Sequence, residues 1–110
     1  MRVHLIRKQT IEDHVLEHST SRTGYKIWLG LLKGADWYVP KDIMATFGTA
    51  DLLGNGSDRV VFNIGGNKYR LICKYVFGRS KVHLFVCWMG THAEYTKLCD
   101  KGDQYRVNKY

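Results

Sequence analysis

Lys68 and Arg70 stand two residues apart in a stretch of alternating pattern, and Gly90-Thr91-His92-Ala93-Glu94-Tyr95-Thr96-Lys97 follows further along the chain. On one strand, residues two apart point the same way. A guanidinium grips a phosphate with a bidentate fork, and an ammonium adds a point charge. Histidine is the usual general acid or base; a tyrosine such as Tyr95 can stack on a base or donate a proton, and Lys97 adds charge. Together these residues suit phosphodiester chemistry on RNA, with the 2′-hydroxyl as nucleophile and side chains managing protons and charge. Structural roles compete for some of them. Thr91-x-x-Glu94 has the form of a capping box, so the simplest role for Glu94 is to close a helix N-terminus. His92 is then either a proton-transfer group or a surface residue of that helix's first turn.

Other chemistries find less support. The basic segment lacks the paired carboxylates of a metal-dependent nuclease, so any cleavage is expected to be metal-free and without a cofactor. GxxxxGK[ST] and GxGxxG are absent, which argues against nucleotide-cofactor enzymes. His14 and His18 have metal-compatible i, i+4 spacing but no third ligand, and read as exposed histidines. Nothing in the spacing of Cys87 marks a nucleophile.

The charge distribution points the same way. The 110 residues carry 17 Lys+Arg against 10 Asp+Glu, a formal charge of +7. Residues 1–58 balance seven basic residues with seven acidic ones, whereas Arg59 to Ala93 holds Arg59, Lys68, Arg70, Lys74, Arg79 and Lys81 and no carboxylate. Solubility charge is normally interspersed with acids. An uncompensated basic segment suits a polyanion, and nucleic acid is the commonest in the cytosol.

The elements that must position these residues are legible in outline. Arg2 to Ile6 reads as a short strand. Thr10 is a plausible cap for a helix running to about His18, with Glu12 and Asp13 in its first turn. Tyr25, Trp28, Leu29 and Leu32 fall at i, i+3, i+4 and i+7 on a second helix that ends at Gly34. Pro40 can open a short third helix through Phe47. From Arg59 the period changes to two. Gly65-Gly66 predicts a two-residue hairpin turn that pairs Ile64 with Asn67 and Phe62 with Tyr69. A third strand, Lys81 to Trp88, then pairs Leu71 with Val86 and Tyr69 with Trp88. One face of this meander is continuously apolar, including Tyr69, Leu71, Tyr75, Val86 and Trp88. The other carries Arg59, Asn63, Lys68, Arg70, Lys74 and His83, with Ile72, Phe85 and Cys87 among them. The expected fold is α+β, with N-terminal helices on the apolar face of a small antiparallel sheet. Arg59, Asn63, Asn67, Lys74, His83 and Lys97 are candidate RNA contacts around the candidate catalytic set Lys68, Arg70, His92 and Tyr95.

Composition bounds the rest. The length suits one domain, 1–110, and 45% hydrophobic and 13% aromatic residues suffice for a packed core. The longest apolar runs fall well short of the roughly 18 residues needed to span a bilayer, and a charge at Arg7 interrupts any signal-peptide pattern. Three cysteines without CxxC spacing read as free thiols in a reducing compartment, hence a cytoplasmic protein without membrane partners.

Three ordered blocks carry a resemblance. Ala50-Asp51-Leu52-Leu53-Gly54-Asn55-Gly56, Arg59 to Leu71 (RVVFNIGGNKYRL) and Gly90 to Tyr95 (GTHAEY), with a middle containing Trp37 and Phe47, resemble the HigB family of toxins within the RelE-like superfamily. The likeness extends over residues 1–98 and leaves Cys99 to Tyr110 as a C-terminal tail. The resemblance implies a RelE-type fold, ribosome-associated cleavage of translated mRNA and neutralisation by a cognate helix-turn-helix antitoxin of the HigA kind. It also implies basic and aromatic site residues on the exposed sheet face and near the C-terminus, positions held here by Lys68, Arg70, His92 and Tyr95. Two other readings stay open: a non-catalytic RNA- or ribosome-binding module, and a RelE-fold toxin that inhibits gyrase and has no need of His92 or Tyr95.

Overall fold

The alternating segment forms the centre of a five-stranded sheet in the computed structural model, which describes residues 1–109. In chain order the elements are β1 (Arg2–Ile6), α1 (Lys8–Glu17), α2 (Arg22–Lys33), α3 (Lys41–Thr46), β2 (Asp51–Leu52), β3 (Arg59–Ile64), β4 (Tyr69–Phe77), β5 (Lys81–Thr91) and α4 (His92–Asp100). The strands lie in the order β1-β5-β4-β3-β2. The fold is α+β with helices against the sheet, as expected, but the sheet is mixed. β1 runs parallel to β5, with Leu5 beside Leu84. Parallel pairing needs a long crossover, and everything between β1 and β5 supplies it.

Local signals explain the helices. Ile11 and Val15 of α1 are buried. The helix starts at Lys8 rather than after Thr10, because Arg7 takes a left-handed conformation (φ 70°) that turns the chain directly out of β1. On α2, Tyr25, Trp28 and Leu32 are buried and Gly34 closes the helix. Pro40 opens α3 and Phe47 ends it. These three helices cover a core that includes Trp37, Phe62, Leu71, Leu84 and Met89.

The strand registers differ from the expected ones in two ways. Gly65 and Gly66, both at positive φ, are the first half of a four-residue turn that ends at Lys68. The β3–β4 pairing is therefore Ile64 with Tyr69, Phe62 with Leu71 and Asn63 with Arg70. The slip from the expected pairing is two residues, so every side chain keeps its face. Lys68 itself leaves the strand and sits exposed in the turn.

The second difference is a β-bulge. Up to the bulge β4 pairs with β5 two residues along from the expected register, Cys73 with Val86 in place of Leu71 with Val86; beyond it Ile72 pairs with Trp88, leaving Cys87 as an extra residue. Beyond the bulge the faces exchange. Met89 fills the place opposite Leu71 in the helix-side core, and Trp88 lies on the other face. The expectation that Trp88 faces the helices is thus corrected.

The far face is not open. Val61, Ile72, Cys87 and Trp88 form a second buried cluster, packed against Leu53, Tyr95 and Leu98 and against Val107 of the C-terminal segment. The Lys109 N–H donates to the Cys87 carbonyl (2.9 Å) and the Arg7 guanidinium to Asn108 Oδ1 (3.3 Å). Residues 99–109 are a strap across the sheet rather than a free tail.

Candidate active site and nucleic-acid interface

The candidate residues divide between the two ends of the sheet. At one end the β3–β4 turn meets the start of α4. The His92 N–H donates to the Lys68 carbonyl (2.9 Å), so the first residue of α4 is tied to the turn. Arg70 donates from Nη2 to Asn67 Oδ1 (2.6 Å) and from Nη1 to the Tyr69 carbonyl (3.2 Å). Asn63 stands across from Arg70 on β3, and Gly90 on β5. Lys68, Asn67 and His92 are exposed and Asn63 half-buried, while Arg70 is only 8% exposed. Its charge lies beneath the surface that Lys68 and His92 present.

α4 owes its position to its first turn. Thr91 Oγ1 accepts from the Glu94 N–H (3.2 Å), and Glu94 Oε1 accepts from the Thr91 N–H (2.8 Å). This is the capping box seen in the sequence. The Thr91 N–H holds the Glu94 carboxyl below its ordinary pKa. Gly90, just before the cap, is required by packing: a Cβ there would lie 2.6 Å from the Trp88 indole. Tyr95 packs half-buried against Trp88, with ring centroids 6.1 Å apart. Burial, and then its hydrogen bond with Cys99, push the Tyr95 phenol well above its ordinary pKa; Asp51 adds to the effect and Arg70 opposes it. Tyr95 therefore offers a ring or a neutral hydroxyl, not a phenolate. Asp51, on β2 at the rim, was not among the sequence candidates; its place beside Val61 follows from strand pairing that has no local signal.

At the other end lie Lys74, exposed, and His83, half-buried, four residues or more along the strands from Arg70. At about 3.3 Å per residue that separation is roughly 13 Å. His83 meets His4 edge to face at 6.0 Å and lies near Phe85 (6.4 Å). Arg59, expected on the open basic face, is 7% exposed beneath the strap. Its Nη1 donates to the carbonyls of Gln104 (3.3 Å) and Val107 (2.5 Å), and it lines a cleft with Arg7, Lys74 and Cys87. Lys97 is exposed on α4 and lines a shallow cleft with Trp88, Leu98 and Lys101.

His14 and His18, expected to be exposed, are half-buried. Their rings stack at 4.1 Å, and each meets Tyr69 edge to face. Burial, and secondly the charge of His18, lower the His14 pKa. Among the described residues no three His, Cys, Asp or Glu side chains are placed to hold a metal ion. Burial raises the thiol pKa of both Cys73 and Cys87, so neither is an activated thiolate.

Helices on one face of a five-stranded mixed sheet, a capped helix and strap on the other, and a cationic end carrying a histidine define a small α+β protein. The family model described as HigB_toxin, RelE-like toxic component of a toxin–antitoxin system, matches residues 21–98, and the chain belongs to that family. It is accordingly a toxin with an antitoxin partner. No curated protein matches the chain. Among the described residues, no helix is long and apolar enough to cross a membrane.

Proposed function

We propose that this toxin is a ribosome-associated endoribonuclease that cleaves translated mRNA in the cytoplasm, with a HigA-like helix-turn-helix antitoxin holding it in check. The observation that carries this reading is the joining of Arg70, Asn67, Lys68 and His92 at one end of the sheet by two hydrogen bonds. In the reaction the RNA 2′-oxygen gives its proton to a base and bonds to the adjacent phosphorus. The phosphorus–O5′ bond breaks, and O5′ takes a proton as it leaves. The products are a 2′,3′-cyclic phosphate and a 5′-hydroxyl.

His92, exposed and fixed by its own backbone to the turn, is the proton-transfer residue. Lys68 meets the phosphate from the exposed turn. Arg70, held by Asn67 in a nearly buried setting, supplies positive field to the charge that develops on phosphorus. Such a field is stronger away from water, and preorganised charge of this kind is usually the largest catalytic term. Tyr95 offers its ring to a base or its hydroxyl to the phosphate; because its pKa is raised, it does so as the neutral phenol. Lys97 and Asn63 extend the contact surface.

Primer extension on transcripts after brief induction tests the reading. New ends bearing 5′-hydroxyls, which ligate only after phosphorylation, are the expected result. Growth arrest without any new RNA end would replace it with a binding or gyrase-directed toxin.

A further inference from the structure

Three cations converge on one cleft at the Lys74 end of the sheet, and no carboxylate lines it among the described residues. Arg7, Arg59 and Lys74 stand round it, Val76, Phe85 and Cys87 form its apolar part, and its volume is about 400 Å³. Small-molecule sites commonly enclose roughly 300–1,000 Å³. The convergence shows at the Cys87 sulfur: burial raises the thiol pKa, while Arg59, Arg7 and Lys74 all act to lower it. A cleft lined by one sign of charge concentrates the opposite ion. Arg59 also has donors to spare. It is 7% exposed, and its bonds to the two strap carbonyls both come from Nη1. Among the described residues, Nε and Nη2 of Arg59 have no acceptor. Those two atoms make up one edge of the guanidinium, the fork that takes two oxygens of a phosphate.

We propose that this cleft binds a free mononucleotide, its phosphate held by Arg59 and Lys74 and its base laid against Phe85 and Val76. The lining selects the class. Beside the cations, Val76 is 44% exposed and Phe85 half-buried, which leaves an apolar and aromatic surface on which a base can stack. Inorganic phosphate would satisfy the cations and leave that surface in water. Position selects a free nucleotide over one within an RNA strand. Arg70, Ile72 and Lys74 follow one another on the same face of β4. Ile72, between the two cations, is fully buried in the cluster that Tyr95, Leu98 and Val107 close. A strand gripped at Lys68 and Arg70 therefore has no open path along β4 to Lys74. The site stands apart from the His92 end, and the inference does not rest on the ribonuclease reading, so the two fail separately.

The test titrates adenosine 5′-monophosphate, adenosine and inorganic phosphate against the full chain and its Lys74→Glu and Val76→Asp variants, read by amide NMR shifts. The monophosphate should move the amides of residues 74–76, 85–87 and 108, leave 67–70 and 92–95 in place, and bind more tightly than either of its parts. Lys74→Glu should weaken its binding by about tenfold or more, the scale of one charge-assisted contact, and Val76→Asp should weaken it as well. Unchanged affinity in both variants overturns the proposal, as does binding that moves 67–70 and 92–95 instead, or no binding at millimolar ligand. Phosphate binding as tightly as the monophosphate overturns the nucleotide assignment. A short single-stranded oligoribonucleotide that moves both sets of amides together overturns the free ligand and makes the cleft part of the RNA path. Should either variant misfold, the wild-type shift map decides by itself.

Discussion

The two faces of the sheet were built by different rules. The helix side is a continuous apolar core in which Leu71, Leu84 and Val86 are fully buried under α1, α2 and α3. The far side mixes apolar residues with cations, and a single helix and a strap cover only part of it. Where they cover, Ile72 is as dry as Leu71, and Arg59 and Arg70 are buried with it. Where they do not, Lys74 stands in solvent. The lesson is that cations on alternate strand positions do not make one open basic surface. Whether a given cation meets RNA or a carbonyl depends on what the end of the chain does above it.

The neighbours Leu71 and Ile72, on opposite faces of β4, test this contrast most severely. Leu71→Ala should cost roughly 2–5 kcal/mol in denaturant unfolding, and Ile72→Ala a cost in the same range, because both are enclosed. A near-neutral Ile72→Ala would mean that the second cluster is not a core and the far face is open.

A smaller effect separates the cations. Arg59→Ala removes a charged donor from two part-buried carbonyls and should lower stability by about 1.5–3 kcal/mol. Lys74→Ala should change stability by no more than about 0.5 kcal/mol. In salt titrations of ribosome or RNA association, Lys74→Ala is expected to leave the steep salt dependence nearly intact, while Lys68→Ala lowers its slope by about one. The reverse pattern would assign RNA to the far end of the strands.

The smallest expected effect is on pH dependence. His14 has a folded-state pKa below the 6.5 of the free side chain, so the unfolded chain binds its proton more readily. Its contribution to stability is complete above pH 6.5 and is lost as pH falls below it. Glu94, also lowered, contributes above its ordinary 4.5 and loses that contribution at more acid pH. His14→Gln should flatten the first step and leave the second. Asp13 and Glu17 on α1, His18, and Glu94 and Lys109 from the far elements all face His14, so a curve unchanged by His14→Gln would assign the step to one of them.

Much of this was legible in the residue order. The helix pattern Tyr25-Trp28-Leu32, the Pro40 start, the hairpin glycines and the Thr91–Glu94 box are local signals, and each reports the element it forms. The pairing of Asn63 with Arg70 escaped because Gly65-Gly66 suits both a two-residue and a four-residue turn. The bulge at Cys87 escaped because an inserted residue leaves the alternation of β5 intact on both sides. The cover over Arg59 had a visible sign: Val61, Ile72 and Cys87 among the cations ask for a lid, and Tyr95 and Leu98 are spaced to supply one. What no local pattern could say is that Val107 and the carbonyls of Gln104 and Val107 would complete it, since those contacts join residues more than 40 positions apart.

The central claim is that chemistry belongs to the end of the sheet where His92 meets the β3–β4 turn, and not to the Lys74–His83 end. The direct measurement is the cleavage rate on ribosome-bound mRNA for His92→Ala beside His83→Ala, with ribosome cosedimentation as the check on binding. The account predicts a loss of about 10²–10⁴-fold for His92→Ala, the usual worth of a proton-transfer residue, and a rate within a few-fold of wild type for His83→Ala, with both variants still bound. Wild-type cleavage by His92→Ala, with the loss falling on His83→Ala instead, would contradict it.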